Sequence, residues 1–409
     1  MAKGDDRIRR FYFFRALTSF SLWIPFWTLW VYKNLDSLFL LTAVDTAFWA
    51  TMVLVQVPAG LLGDKYGRKT VLFIGEALFA AGVLGFGFST EFSEYFLSNI
   101  IWAIGACFIV SGDTPFVYDT LLELDRGRDF TKIMGTANAV QFLMNAIACV
   151  VGAIIVTVTD RVELTLIVAS LVGLMGSFTV ALLKEPKVPR AFMKSYRAQL
   201  GTGVKQVIKS RAIMILILFQ IVLQLGTYVM AVFRSVYLNE ELNLNYLQLG
   251  LFFGAFAIVG GAVTMRASRI EARLKEKGSL IFMLVALVSS FAIVFLVRSP
   301  VAVMTQFLVY TVVGLQSPVI NGYIHRLVDS SHRSTIIAIA SMLFTLLVVV
   351  VELATGWIAT AWGLEESLLV LACAVAPVGA LLLFLWSKEV DKFARSDYDP
   401  AADGLTRKL

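Results

Sequence analysis

Seven ionisable side chains sit inside long apolar runs: Arg15, Asp45, Glu76, Asp113, Asp119, Arg234 and Glu352. A charge in such surroundings is costly, so it usually faces a cavity, a partner or an ion pathway. A carboxyl group held there is suited to loading and releasing a proton. Glu352 follows Leu346-Leu347-Val348-Val349-Val350-Val351 and has no charged neighbour in sequence. Asp113 lies ten residues from the end of its apolar run and Glu352 nine, which is about 15 Å and about 14 Å along a helix. Both are expected near the midplane of a bilayer, as the leading candidates for handling a proton or a substrate. Asp45, in LLTAVDTAFWATMVLVQ, is expected in the outer third of its helix, where it can meet protons from outside. Trp23, Trp27 and Trp30 fall on one face by helical spacing and form a candidate wall for an amphiphilic or cationic aromatic substrate. Glu76 is expected to make a structural contact, and Arg234, near a helix end, to snorkel to the headgroups.

The elements that must carry these groups follow from composition. Of 409 residues, 58% are hydrophobic and 16% charged, with a mean hydropathy of +0.79. A soluble chain carries roughly 25% charged residues. The apolar residues come in runs of about 20, the length that crosses a bilayer as helix. The expected fold is an all-α membrane protein of twelve transmembrane helices, at roughly 11–33, 37–62, 70–89, 93–123, 131–158, 162–184, 211–238, 245–266, 278–298, 300–327, 334–361 and 364–388. They divide into a six-helix bundle over 1–184 and another over 211–388. A basic cytoplasmic linker over 185–210 carries an amphipathic surface helix, and 389–409 forms a cytoplasmic tail. The basic N-terminus MAKGDDRIRR leads into a retained first helix, because no small-residue cleavage site follows.

Lys and Arg cluster at alternate junctions: Lys65, Arg68 and Lys69; Arg126, Arg128 and Lys132; the linker; Arg266 to Lys277; Arg326 and Arg333. The other junctions are acidic, as at Glu91, Glu94, Glu240, Glu241, Glu365 and Glu366. This bias places both termini in the cytoplasm and the chain in the cytoplasmic membrane. It also explains the net charge of +6 without a nucleic-acid partner. Pro115 and Leu124 recur, 203 residues later, as Pro318 and Leu327, an internal repeat of the kind from which transporters are built. Cys107, Cys149 and Cys373 lie in apolar runs and give no metal or disulfide spacing. His325 and His332 flank one short loop and are expected to be solvated.

Between the second and third apolar runs stands Gly60-Leu61-Leu62-Gly63-Asp64-Lys65-Tyr66-Gly67-Arg68-Lys69. It resembles the loop between helices 2 and 3 of the major facilitator superfamily, G-x-L-x-D-[RK]-x-G-R-[KR]. The resemblance implies two six-helix bundles that rock about a central site. It further implies a cytoplasmic gate in which Arg68 pairs with an acid near the inner end of helix 4, here Asp119. Asp64 would rest near the start of a helix in the other half, where a helix dipole favours its charge. Gly60, Gly67 and Lys69 complete the loop. Arg15 is expected at a depth similar to Asp119 and offers a second partner for it, leaving two pairings open.

The chain departs from the pattern of proton-driven exporters. Gln56 stands where a glutamate is frequent, helix 5 has no proline, and Ile109 to Asp113 contain no arginine. The resulting expectation is a monomeric secondary transporter without a cofactor, with the proton as coupling ion. It would export a small amphiphilic or drug-like compound by alternating access. An uptake symporter for a small metabolite and a lipid-handling flippase are the alternatives. Nucleophile, metal and cofactor motifs of an enzyme do not occur in the sequence. Gly250 and Gly254, four apart, are expected to allow close helix approach.

Overall fold

Helices start and stop where the apolar runs meet capping residues. The computed structural model describes residues 3–186, 210–297, 299–327 and 333–396, and all regular structure among them is helical. The helices are α1 (Lys3–Thr18), α2 (Trp27–Leu35), α3 (Leu38–Tyr66), α4 (Arg68–Phe88), α5 (Phe92–Glu123), α6 (Phe130–Thr159), α7 (Glu163–Ala181), α8 (Arg211–Val236), α9 (Tyr246–Leu296), α10 (Met304–Leu327), α11 (Arg333–Trp362) and α12 (Leu364–Ser396). The Ser37 side chain accepts from the Leu40 N–H to open α3. Asn245 and Gln248 exchange hydrogen bonds of 2.9 Å in a capping box that opens α9. Among the described residues, ten helical stretches are long and apolar enough to cross a membrane. Their outer surface is apolar too: Val158 and Met265 are 78% and 75% exposed, as suits a lipid environment.

Two departures from the expected helices stand out. The first apolar run does not form one helix. It ends as α1 at Thr18, turns through residues 19–26, and resumes at Trp27. Pro25 has no N–H to give to a helical bond, and Leu22 and Phe26 fill the core from the turn at 0% exposure. Conversely, the expected helices over 245–266 and 278–298 are joined as α9, broken only at Lys275, whose φ of 58° and ψ of 176° are not helical. The expected linker helix falls on residues 187–209, outside the described residues, as do His332 and the tail from 397.

Helices α1 to α7 pack among themselves, with α4 against α5 and α7, and α3 against α5. Helices α8 to α12 do likewise, with α9 against α10 and α12, and α8 against α12. The two sets meet chiefly through α3 on α11 and α6 on α9, with α2 touching α8. Gly250 makes the α6–α9 contact possible: a Cβ there would lie 2.5 Å from the Cys149 carbonyl oxygen. Gly254 repeats the approach one turn on, against the Ala146 carbonyl.

Candidate functional site

Three layers of polar and aromatic groups lie along the contact between the two sets of helices. At the Leu38 end of α3, the Phe39 N–H donates to Thr360 Oγ1 at 2.8 Å. Lys33 reaches Glu240 at 3.4 Å. Two turns further along α3, Asp45 and Glu352 lie side by side, 6% and 1% exposed, within hydrogen-bond reach of one another. The Tyr228 hydroxyl donates to Asp45 Oδ2, and Trp49 Nε1 donates to the Tyr228 oxygen at 2.6 Å. Thr46 Oγ1 donates to Glu352 Oε2 at 3.5 Å. Glu352 Oε1 is buried and receives no such donor. Two ionised carboxylates have no proton to share, so a hydrogen bond between this pair requires a proton on one of them.

Below the pair opens a cavity of about 230 Å³, lined by Trp23, Trp27, Asp45, Phe48, Trp49, Phe79, Asn99, Trp102 and Tyr228. Trp23 meets Trp102 edge-on at 4.6 Å between ring centroids; Trp49 meets Tyr228 the same way at 5.0 Å. Asn99 Nδ2 donates to the Val44 carbonyl at 2.7 Å, fixing α5 to α3 one residue before Asp45. Trp23 and Trp27 therefore line one cavity, although they do not share a continuous helix: Trp23 stands in the turn and Trp27 opens α2. Aromatic faces beside a carboxyl make a favourable seat for an organic cation.

Asp113 lies elsewhere. Its Oδ2 pairs with Arg15 Nη2 at 2.8 Å, with side-chain exposures of 7% and 15%. Arg15, expected at a depth similar to Asp119 and as one of two possible partners for it in a cytoplasmic gate, pairs with Asp113. Helix α1 begins at Lys3, so Arg15 occupies its last turn, deeper than a helix starting near residue 11 would put it. Glu76, 3% exposed, lies within electrostatic range of both.

The glycine-rich loop forms the tight junction from α3 to α4. Gly67 has φ 106°, and a Cβ on it would lie 2.8 Å from a Glu185 carboxylate oxygen. That carboxylate accepts from the Arg68 and Lys69 N–H groups at 2.9 and 2.8 Å, a favourable place for an anion at the start of α4. Arg68 bonds Asp64 at 2.5 Å and the Ser111 carbonyl at 3.4 Å. Arg68 thus has an ion-pair partner within the loop itself. Lys69 Nζ donates to the Ala181 carbonyl at 2.6 Å. Around Gly60 a Cβ would meet nothing within 4 Å, and Asp119 is half-buried near the end of α5.

Arg234 does not snorkel. It is 4% exposed, donates to Gln306 Oε1 at 2.8 Å and to the Tyr310 oxygen at 3.2 Å, and stacks 4.7 Å from the Tyr310 ring centroid. Sequence reading also missed Tyr228, Trp49, Trp102 and Asn99. Asn99 carried a usable signal, an amide amid apolar residues. A tyrosine or tryptophan in such a run carries none.

The helical architecture, the loop and the buried polar layers define a multi-pass membrane transporter. The sequence profile of the Major Facilitator Superfamily matches residues 11–317, and the chain belongs to that family, whose members are transporters and not enzymes. Multidrug resistance protein 2 of Bacillus subtilis (strain 168) is 30% identical over 93 residues, 23% of this chain and 22% of the relative. Quinolone resistance protein NorA of Staphylococcus aureus (strain MSSA476) is 23% identical over 220 residues, 53% of each chain. The chain thus spans about a fifth to a half of the length of the curated relatives it matches. Among solved structures, the nucleoside transporter NupG aligns at TM-score 0.76 and 13% identity, covering 93% of this chain and 99% of that one. The D-xylose-proton symporter aligns at TM-score 0.72 and 15% identity, covering 93% and 96%. At these identities the likeness is one of fold.

Proposed function

We propose that this chain is a proton-coupled exporter of a small amphiphilic compound, working by alternating access in the cytoplasmic membrane. The observation that carries the reading is the Asp45–Glu352 pair, one carboxyl from each set of helices, held together where the sets meet. With a proton between them the carboxyls attract and the sets close at the Leu38 end. Without it, two like charges face each other and push the sets apart. A proton arriving from outside would therefore favour the state that is closed outward.

Twelve spans follow if α1 and α2 together form one and α9 forms two, separated at Lys275. The clusters of loop lysine and arginine then fall on one side, with only Lys33, Arg161 and Arg298 on the other, and both termini lie in the cytoplasm. The Leu38 end of α3 faces outward. Contacts between α3 and α11 run from Phe39 to Trp49. Leu54 and Leu61, on the following turns, are 74% and 58% exposed, which supports an arrangement open towards the cytoplasm. The aromatic cavity beside Asp45 is the substrate site, and Trp23 and Trp27 form part of its wall. Asp113, paired with Arg15, belongs to the same proton machinery. Gly60, Asp64, Gly67, Arg68, Lys69 and Asp119 serve the cytoplasmic gate. Relatives named for multidrug and quinolone resistance favour export of a drug-like compound over uptake of a metabolite.

The test uses the purified chain in liposomes that enclose a pH-sensitive dye. Lipophilic aromatic cations should move protons across the membrane, and Asp45→Asn or Glu352→Gln should abolish that movement. Substrate movement in the wild type with no accompanying proton would overturn the reading.

A further inference from the structure

A cavity of about 340 Å³ opens between the start of α1 and the start of α6. It shares no lining residue with the aromatic cavity beside Asp45. Its size is that of a small-ligand site, about 300–1,000 Å³. Arg9 and Tyr12 line it from α1, Arg126 and Asp129 from the α5–α6 junction, and Lys132 and Thr136 from α6. Ile8 and Ile133 also line it and belong to the apolar cluster that packs there.

The charges around this cavity do not balance. Arg126 Nε donates to Asp129 Oδ2 at 2.7 Å and so engages the one carboxylate in the wall. The other cations of α1 have partners: Arg7 pairs with Glu123 at 3.1 Å, Arg10 with Asp6 at 2.9 Å, and Arg15 with Asp113. Arg9 and Lys132 are exposed and meet no carboxylate among the described residues. The Tyr12 hydroxyl likewise has no hydrogen-bond partner among them. Two cations and a phenol, with no acceptor left in the wall, call for an anion.

The surroundings say which kind. By helical spacing, Lys132 and Thr136 lie on the stripe of α6 that continues through Leu143, Ile147, Ile154 and Val158. Those four apolar side chains are exposed. The neighbouring faces of α6 are covered: Gly152 meets the Leu22 carbonyl, and Ala146 and Cys149 meet α9. Ile154 and Val158 flank the turn where Ala153 packs on Gly250 of α9, so this stripe faces lipid and not a gap between the two sets. An anion seated beside Lys132 thus has an apolar track running from it into the membrane. Basic pockets between helices at the cytoplasmic face seat acidic lipid headgroups.

We propose that the cavity holds the headgroup phosphate of one acidic phospholipid. Arg9 and Lys132 bind its charge, the Tyr12 hydroxyl donates to a further oxygen, and its chains lie over Leu143 and Ile147. A guanidinium can fork onto two phosphate oxygens, and the stripe adds apolar contact that a free phosphate cannot use. The lipid ties α1 to the α5–α6 junction within the first set of helices. The transporter reading above bears only on the leaflet, which it makes the cytoplasmic one.

The purified full-length chain in detergent micelles doped with phosphatidylglycerol or phosphatidylcholine tests this. The thermal midpoint should rise with phosphatidylglycerol and not with an equal mole fraction of phosphatidylcholine. Titrating that rise gives an apparent affinity. Arg9→Gln/Lys132→Gln should weaken it by about 25-fold, at about fivefold for each basic residue beside an anionic lipid. Arg128→Gln, at the same junction but outside the cavity, should leave it unchanged. The site is overturned by no rise in the wild type, by no loss in the double variant, or by an equal loss in Arg128→Gln. Inorganic phosphate tests for a free ion: a rise with millimolar phosphate to which phosphatidylglycerol adds nothing overturns the lipid. If the double variant does not fold, Lys132→Glu takes its place, and an unweakened response to phosphatidylglycerol is then the overturning result. None of these readouts involves transport, so a failed export reading and a failed lipid site are told apart.

Discussion

Arg15 and Asp113 face each other at 2.8 Å across α1 and α5, each nearly shut off from solvent. Removing one member of such a pair strands the other charge, whereas replacing both does not. Asp113→Asn should therefore lower stability by about 3 kcal/mol, and Arg15→Met by a similar amount. The double variant Arg15→Met/Asp113→Leu should recover most of it. Thermal melts of the three variants in one detergent decide this; a double variant as unstable as the sum of the singles would show that the pair is not the relevant contact.

The carboxyl pair between α3 and α11 makes a different prediction. Glu352→Gln keeps an N–H that can donate to Asp45, so it should hold the two sets together without a proton. Spin labels near Phe39 and Thr360 should give one short distance at all pH values in this variant. In the wild type the distance should lengthen as the pH rises. A pH-dependent distance in Glu352→Gln equal to that of the wild type would detach the pair from closure.

Trp102 makes edge-on contacts with Trp23, Phe48, Phe79 and Phe86. Aromatic pairs of this kind contribute about 0.5–1.5 kcal/mol each beyond area burial. Trp102→Ala should weaken binding of an aromatic cation by about tenfold, since it loosens both the wall and the rings that shape it. Fluorescence titration with a lipophilic dye cation checks this. Unchanged affinity would place the substrate elsewhere.

Gly67 takes a φ of 106° directly beside the Glu185 carboxylate. An alanine there suffers both a backbone conformation unfavourable to side chains and a clash. Gly67→Ala should cost about 1–2 kcal/mol and displace Glu185 from the start of α4. Glu185→Gln, which keeps the shape and removes the charge, should cost about 1 kcal/mol or less. If the two variants melt together with the wild type, the Glu185 cap is not holding the loop.

Much of this protein is written in its sequence. Membrane helices depend on local quantities, the length of an apolar run and the sign of the charges at its ends, and both are visible without a partner. The loop from Gly60 to Lys69 identifies the family in the same way, because a tight junction between two helices constrains adjacent residues only. The buried ionisable residues could also be listed from sequence, since cost depends on the surroundings along the chain. What the sequence did not determine is how those residues pair. Thr46 and Glu352 stand 306 positions apart, and Tyr228 and Asp45 183 apart. Which side chains meet depends on the rotation and depth of each helix against its neighbours, and a shift of one residue turns a side chain by about 100°. Tertiary packing thus decided that Arg15 takes Asp113, that Asp45 takes Glu352, and that Arg234 stays inside against Gln306 and Tyr310. It decided the break in the first helix as well: Pro25 removes only one hydrogen bond, and the buried seats for Leu22 and Phe26 make up for the others that are lost.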